Sequence, residues 1–337
     1  NNTLRTTSAS QKSTVARPNY LAIGLPVTKH WRTSVGILPF SDIGYVVVDN
    51  HDVVDFGNAN YTYEGDGGLM QLYWGNAFSI CKGLSLGLNV SYMWGRMTYN
   101  RSVEITGENF FNTTIDNSMH VDGIYLSGGL QYFNDINENH RIGLGVVYEN
   151  SAYLWAKDNQ RITIFEGSLS NITGEDTLVN TVNRRGSMKM PQCVGGGISY
   201  LYKKRLLLAA DVTWQNWEKY RLMGESDSLT NAIVTSLGIQ YTPDPQSSKY
   251  GKRISIRAGA RYSTGYFSFN GEPVSEYSFS FGLGFPLKGA NSNSSLNVLV
   301  EYGKMGNLTH NAIAEDYLKF TFSFILQEKW YQRVKLD

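Results

Sequence analysis

The sequence predicts an all-β fold: a transmembrane antiparallel up-and-down β-barrel of about 14 strands, with an incomplete first strand. Three observations predict it. Apolar and polar residues alternate with period two over many long segments, the signature of strands with one apolar face. Glycine (34) and tyrosine (22) are abundant and aromatics reach 13%, while charged residues make up only 18%, against roughly 25% in ordinary soluble domains. No apolar run reaches the about 18 residues that a membrane-spanning helix needs, and the mean hydropathy is -0.29.

The strand segments follow in order at 18–27, 30–49, 68–79, 83–101, 118–133, 140–155, 187–202, 205–220, 229–241, 253–264, 274–286, 295–304 and 316–327. In 83–96 the apolar set Leu84, Leu86, Leu88, Val90, Tyr92 and Trp94 interleaves with Ser85, Gly87, Asn89 and Ser91. In 205–215 Leu206, Leu208, Ala210, Val212 and Trp214 face away from Asp211 and Thr213. The last segment sets Phe320, Phe322 and Phe324 against Lys319, Thr321 and Ser323. Strands of a soluble sandwich usually run about 5–6 residues; these are longer, and their polar rows are small, as a crowded lumen requires. The apolar rows end in aromatics such as Tyr148, Tyr200, Tyr241, Tyr262 and Tyr302, which fits a girdle at a lipid–water boundary.

Short connections fall at 28–30, 80–82, 134–140, 203–204, 242–252 and 287–294, and alternate with longer polar segments at 50–66, 104–117, 156–186, 221–229, 266–273 and 305–315. Outer-membrane barrels carry short periplasmic turns and longer outer loops, so the short set is expected to face the periplasm, with the tail 328–337 on that side. The expected location is the bacterial outer membrane. Thirteen segments are an awkward count where bacterial barrels are even-numbered. An upward strand is therefore expected before 18–27, and residues 1–15 supply only part of it. The chain opens Asn1-Asn2-Thr3 without an apolar leader, as expected of a processed form or fragment. Residues 1–337 read as a single barrel domain, with no repeat or linker.

Lys+Arg 30 against Asp+Glu 29 gives a net charge of +1, so nothing electrostatic recruits nucleic acid. The expected partners are the lipid bilayer and a hydrophobic small molecule, with other outer-membrane proteins as an alternative. Cys81 and Cys193 occupy a turn and a strand, which does not favour a disulfide. His30, His51, His120, His140 and His310 are scattered without metal-ligand spacing. Asp49, Asn50, Asp52 and Asp55 read as a solvated acidic loop. No nucleophile–base pair is marked, so the chain reads as no enzyme, with no cofactor and no metal.

The stretches "YLAIGLPVTKHWRTSVGILPFSDIGY" (20–45), "MPQCVGGGISYLYKKRLLLAADVTWQNWEKY" (190–220) and "FTFSFILQEKWYQRVKL" (320–336) resemble the FadL-type family of outer-membrane transporters for long-chain fatty acids and other hydrophobic compounds. The resemblance implies a fourteen-stranded barrel, a lumen closed by an N-terminal hatch, and lateral release of ligand through a kinked strand. The hatch segment expected before the first strand is not seen in residues 1–20. Pro39 lacks a ladder donor and is expected to impose a bulge or gap. Gly36, Pro39, Phe40, Ser41, Asp42 and Gly44 are thus the lateral-opening candidates, and Pro191 beside Gly195–Gly197 is read as structural. Arg253, Arg257 and Arg261, spaced by four on one strand face, with Asp211, Glu149 and Glu301, are the lumen candidates for holding a ligand carboxylate. Two functions are consistent with these residues. One is passive uptake of a fatty-acid-like molecule with release at the kink. The other is a non-transporting subunit of a larger outer-membrane secretion or barrel-assembly complex.

Overall fold

The computed structural model describes residues 2–6, 10–53, 57–105, 111–169, 171–269, 271–287, 294–308 and 313–327. Its strands are β1 (Asn2–Thr6), β2 (Ser10–Ser13), β3 (Leu21–Pro26), β4 (Trp31–Val53), β5 (Gly57–Cys81), β6 (Leu84–Ile105), β7 (Asn112–Asn137), β8 (His140–Glu149), β9 (Tyr153–Ser168) and β10 (Asn171–Lys189). There follow β11 (Cys193–Tyr202), β12 (Leu206–Gln215), β13 (Arg221–Leu222), β14 (Ala232–Tyr241), β15 (Ser255–Ser263), β16 (Ser268–Phe269), β17 (Glu272–Pro273), β18 (Glu276–Pro286), β19 (Ser295–Gly306) and β20 (Ile313–Ile325).

One large antiparallel sheet forms a barrel-like wall in the order β3–β4–β5–β6–β7–β8–β11–β12–β14–β15–β18–β19–β20–β1–β2. Most neighbours follow one another along the chain, as short hairpin connections demand; the exceptions are β8–β11, separated by the β9–β10 excursion, and β20–β1, which joins the two ends. Among the described residues no pairing joins β3 to β1, β2 or β20, so the seam lies at the N-terminal side of the sheet. Between β11 and β12 the turn is tight: Lys203 (φ 49°) and Lys204 (φ 57°) are both left-handed, and the Arg205 N–H donates to the Tyr202 carbonyl at 2.9 Å. Two positive φ values are what a type I′ hairpin needs to match strand twist.

The wall is uneven. β12, β14 and β15 have 10, 10 and 9 residues, close to the roughly 9–11 that cross a bilayer. β4, β5, β6 and β7 have 23, 25, 22 and 26. β9 continues β8 along the same side of β7, and β10 returns beside it before running into β11. The segments expected as polar loops at 50–66 and 156–186 are thus mostly strand, a correction to the sequence reading. Their backbone groups are satisfied by long ladders, such as Val48 opposite Thr62 and Arg161 opposite both Asp116 and Asn180. The outer edge of this tall wall is β10. It carries register shifts at Ile172/Gly174, Thr177/Val179 and Thr181/Arg184, and among the described residues its far side pairs only at Met188 and Lys189, with β13. Pro191 sits in the break between β10 and β11, where a missing donor costs nothing.

The two faces divide as the alternation requires. Outward lie Leu88, Val90, Tyr92, Leu237, Phe279, Phe281 and Phe320, with Phe322 67% exposed. Inward, the tall wall carries an apolar cluster: Leu69, Met93, Met97, Met119, Val121, Tyr125, Ala152, Leu154, Ala156, Met188 and Met190. Met93 and Leu154 are 0% exposed. The segment after β12 folds onto this cluster. A 3₁₀ turn at Trp217–Lys219 leads into β13, and Tyr220, Leu222 and Met223 pack against the apolar face. This inward stopper occupies part of the segment expected to be a plain outer loop.

Candidate functional site

The kink comes first from β4. Its register with β5 jumps between Pro39, opposite Met70, and Ser41, opposite Leu69, so Phe40 is the extra residue of a bulge. Phe40 lies edge-on to Tyr125, with ring centroids 6.1 Å apart. The Ser41 hydroxyl accepts the Leu69 N–H at 3.2 Å, replacing a backbone acceptor the bulge displaces. Asp42 pairs with Arg17. Across the bulge β5 answers with Gly67 (φ 106°) and Gly68 (φ 152°); a Cβ at either would strike a neighbouring backbone carbonyl, Arg96 or Ser41. This glycine pair was missed in the sequence, although its position opposite a mid-strand proline was the available signal.

A cavity of about 740 Å³ opens at the bulge, lined by Pro39, Ser41, Asp42, Arg17, Tyr92 and Trp94 among others. Of the six lateral-opening candidates, Pro39, Ser41 and Asp42 line it, and Phe40 faces Tyr125. Gly36 instead sits in regular pairing between Ala22 and Tyr73, and Gly44 pairs with Asp66. Above Leu21, β3 no longer covers β4, so the bulge borders the seam of the sheet.

The lumen candidates do not converge on one site. Arg253 lies at the end of a 3₁₀ turn, Tyr250–Arg253, with its guanidinium 5.4 Å from the Tyr250 ring centroid. It therefore does not share a strand face with Arg257 and Arg261, which corrects the expected triad: the strand begins only at Ser255. Arg257 donates to Gln240 Oε1 at 2.8 Å and to Asn297 Oδ1 at 2.7 Å. Arg261 shares a cross-strand row with Ser236 and Asp211, two strands apart, or about 10 Å. Glu301 lies 4.0 Å from Lys319 and accepts from the Tyr317 hydroxyl at 3.4 Å. Glu149 accepts from the Tyr125 hydroxyl at 2.9 Å. Glu149 and Asp211 line a second cavity, of about 330 Å³, with Cys193, Gly195, Gly197, Ser199 and Thr213. Its glycine floor makes room for Asp211, whose carboxylate fills the space a Cβ on Gly197 would take.

Among the described residues no group of His, Cys, Asp and Glu could hold a metal ion. Asp49, Asn50 and Asp52 lie on the outer end of β4, while Asp55 and His310 fall outside the described residues. Both cysteines are free, Cys81 exposed and Cys193 buried. No helix among the described residues is long and apolar enough to cross a membrane, which says nothing about strands.

With this wall, seam and kink in view, comparison with known proteins is direct. The sequence profile of the BamG family matches residues 1–337. The chain belongs to the BamG family. No curated protein matches it in sequence. Solved structures share the fold of this BamG-family chain. The Pseudomonas putida toluene transporter TodX superposes with a TM-score of 0.62 at 13% identity, covering 95% of this chain and 85% of that one. The CymD monoaromatic hydrocarbon channel gives 0.57 at 15%, covering 90% and 81%. A Pseudomonas aeruginosa FadL homologue gives 0.51 at 12%, covering 90% and 75%. The resemblance to FadL-type proteins seen in the sequence therefore holds for the fold.

Proposed function

We propose that this BamG-family chain is a fourteen-stranded barrel of the bacterial outer membrane that serves as a non-transporting subunit of a larger barrel-assembly or secretion complex. The observation that carries this reading is the filled interior of the tall wall. A carrier for hydrophobic molecules needs an apolar vacancy. Here the apolar lumen face is occupied by the chain's own Met93, Leu154, Tyr220, Leu222 and Met223. The lumen cavity below it is small and carries the carboxylates Glu149 and Asp211. The fifteen strands of the sheet make fourteen staves when β2–β3, β8–β9 and β10–β11 each count as one, and the barrel closes where β2–β3 lies beside β1. The outward apolar belt faces lipid, since soluble proteins rarely expose such a surface. The tall wall then rises from the outer face, where it offers partner proteins a rigid platform.

A second reading, passive uptake of a fatty-acid-like molecule with lateral release, is favoured by one observation: the 740 Å³ cavity opens at the bulge between Pro39 and Ser41. One experiment separates the two. The tagged chain is purified from native membranes in mild detergent, and in parallel the chain is depleted in cells. The complex reading expects a stoichiometric outer-membrane assembly that crosslinks to the wall strands, and a fall in insertion of other barrels on depletion. A lone barrel, normal insertion of other barrels, and fatty-acid uptake that drops when Pro39, Ser41 and Asp42 become valines would reverse the choice.

A further inference from the structure

The tall wall carries a charge arrangement on its outward face that neither function requires. In the registers, Arg96 of β6 lies opposite His120 of β7, His120 opposite Lys157 of β9, and Lys157 opposite Arg185 of β10. Four basic side chains thus stand in one row across four adjacent strands, spaced by about 4.8 Å per strand. All four are exposed. Arg96 donates to the Ser118 hydroxyl at 2.9 Å, and none of the four makes an ion pair among the described residues. Lys157 and Arg185 set like charges directly opposite one another across strands, an unfavourable arrangement. Elsewhere on this wall the chain pairs its charges, as in Arg184 with Asp158 at 2.9 Å and Arg161 with Glu175 at 3.5 Å.

What lies next to the row indicates its counter-charge. One step down the same face stand Trp94, Asp122 and Trp155, again in register, with Tyr92 stacked on Trp94 and Tyr153 beneath the Lys189 ammonium at 5.3 Å. Lower still come Val90, Leu88, Ile124 and Leu126, all exposed. The order is apolar belt, aromatic band, basic row. That is the depth profile of acyl chains, interface and headgroup phosphates in a lipid monolayer. The cavity at the bulge reaches Arg96 and His120, so a headgroup has space to seat beside the first two members of the row; Asp42, Asp66 and Asp122 also line it, so the phosphates lie toward Lys157 and Arg185.

We propose that Arg96, His120, Lys157 and Arg185 form a binding surface for the phosphates of a phosphorylated glycolipid in the outer leaflet. The aromatic band takes the acyl–sugar junction below, and the basic row spans the phosphates above. Such a lipid removes the repulsion along the row, and it fixes the tall wall at a defined height and tilt over the membrane. The inference rests on the outer-leaflet orientation proposed above.

The test is binding of the full chain to nanodiscs containing a diphosphorylated glucosamine-based glycolipid, with the dephosphorylated lipid as the reference. The readout is tryptophan fluorescence, because Trp94 and Trp155 border the row. Wild type should prefer the phosphorylated lipid. The preference should fall by roughly fivefold for each cation removed in Lys157→Gln and Arg185→Gln, the usual worth of one basic residue at an anionic surface. Lys203→Gln with Lys204→Gln, at the opposite end of the barrel, should leave it unchanged. Comparing two lipids on wild type needs no variant, so a folding defect cannot hide the answer. Equal affinity for both lipids, or full retention of the preference in the double variant, overturns the assignment. So does competition by inorganic phosphate at equal concentration, which points to a soluble anion. An orientation error is seen separately: labels at Lys203 would then be reached by an impermeant reagent on intact cells.

Discussion

Leu154 is the residue whose truncation reports most directly on the stopper. It is 0% exposed and sits in the apolar cluster with Met93, Val121 and Met188. Leu154→Ala removes three carbons, at about 0.8 kcal/mol each. The surrounding strands are held by ladders and collapse little, so a cavity penalty adds to this. The expected cost is about 3–4 kcal/mol, inside the usual span for buried leucines. The neighbour that sharpens the test is Gly123. A Cβ built there would lie 2.8 Å from Leu154 Cδ2 and 3.0 Å from Leu154 Cα. Gly123→Ala alone should therefore destabilise by forcing the leucine aside. In the double variant the clash with the δ-carbon disappears, so the two costs should combine with a favourable coupling of about 1 kcal/mol. Urea unfolding in detergent measures all four corners of the cycle, and hydrogen exchange on β7 and β9 shows where the loss falls. A cost below about 1 kcal/mol for Leu154→Ala, or strict additivity with Gly123→Ala, would refute the packed interior.

Three further outcomes are expected. Phe322→Arg, on the outward belt, should cost about 2–4 kcal/mol if its site lies near the bilayer midplane, measured by folding into lipid vesicles; Ser323→Arg should cost less. Replacing Lys203-Lys204 by Asn-Gly should stabilise the β11–β12 hairpin by about 1 kcal/mol, because both lysines hold left-handed backbone that glycine adopts freely, and unfolding midpoints will show it. The Asp227 carboxyl, on an exposed residue, is pushed above its ordinary value by partial desolvation, and burial raises the hydroxyls of Tyr99 and Tyr220, with the Asp227 charge adding to both. A raised carboxyl favours the folded stopper in its protonated form, fully so below the ordinary carboxylate range. That contribution is lost as pH rises through the raised value. Protease nicking of 220–230 should increase over that interval, and Asp227→Asn should flatten the dependence.

Much of the wall was legible because lipid on one side and a polar lumen on the other force strict alternation. Phe320, Phe322 and Phe324 could point only one way. The seam was legible too, from the missing partner of the first downward strand. The tall strands were not. Segments such as Asn171–Asn183 carry no continuous apolar row and read as loop, although most of their backbone pairs with β9 between the register shifts. The stopper escaped for the opposite reason. Tyr220, Leu222 and Met223 are a short apolar group in a polar loop, and only the three-dimensional facing of Met93 and Leu154 gives them a purpose. Of the candidate site, Pro39 was readable as a bulge because proline removes a donor. Arg253 was misplaced because a spacing of four suits a strand only if the strand has already begun.

The three register shifts in β10 have a consequence for the way the chain meets other extended chains. An exposed strand edge of this length is a template for whatever extended chain comes near. An unfolded strand that seeks the same bonds is the visitor to exclude. Each shift breaks the run of evenly spaced donors and acceptors and twists the edge, so that a visiting strand can match only a few residues before losing step. Asn183 adds a left-handed residue at the last of these shifts. Contact with this edge is thereby restricted to side chains, and a mutation that deleted one residue from each bulge would leave the fold intact while making the chain prone to polymerise with its neighbours.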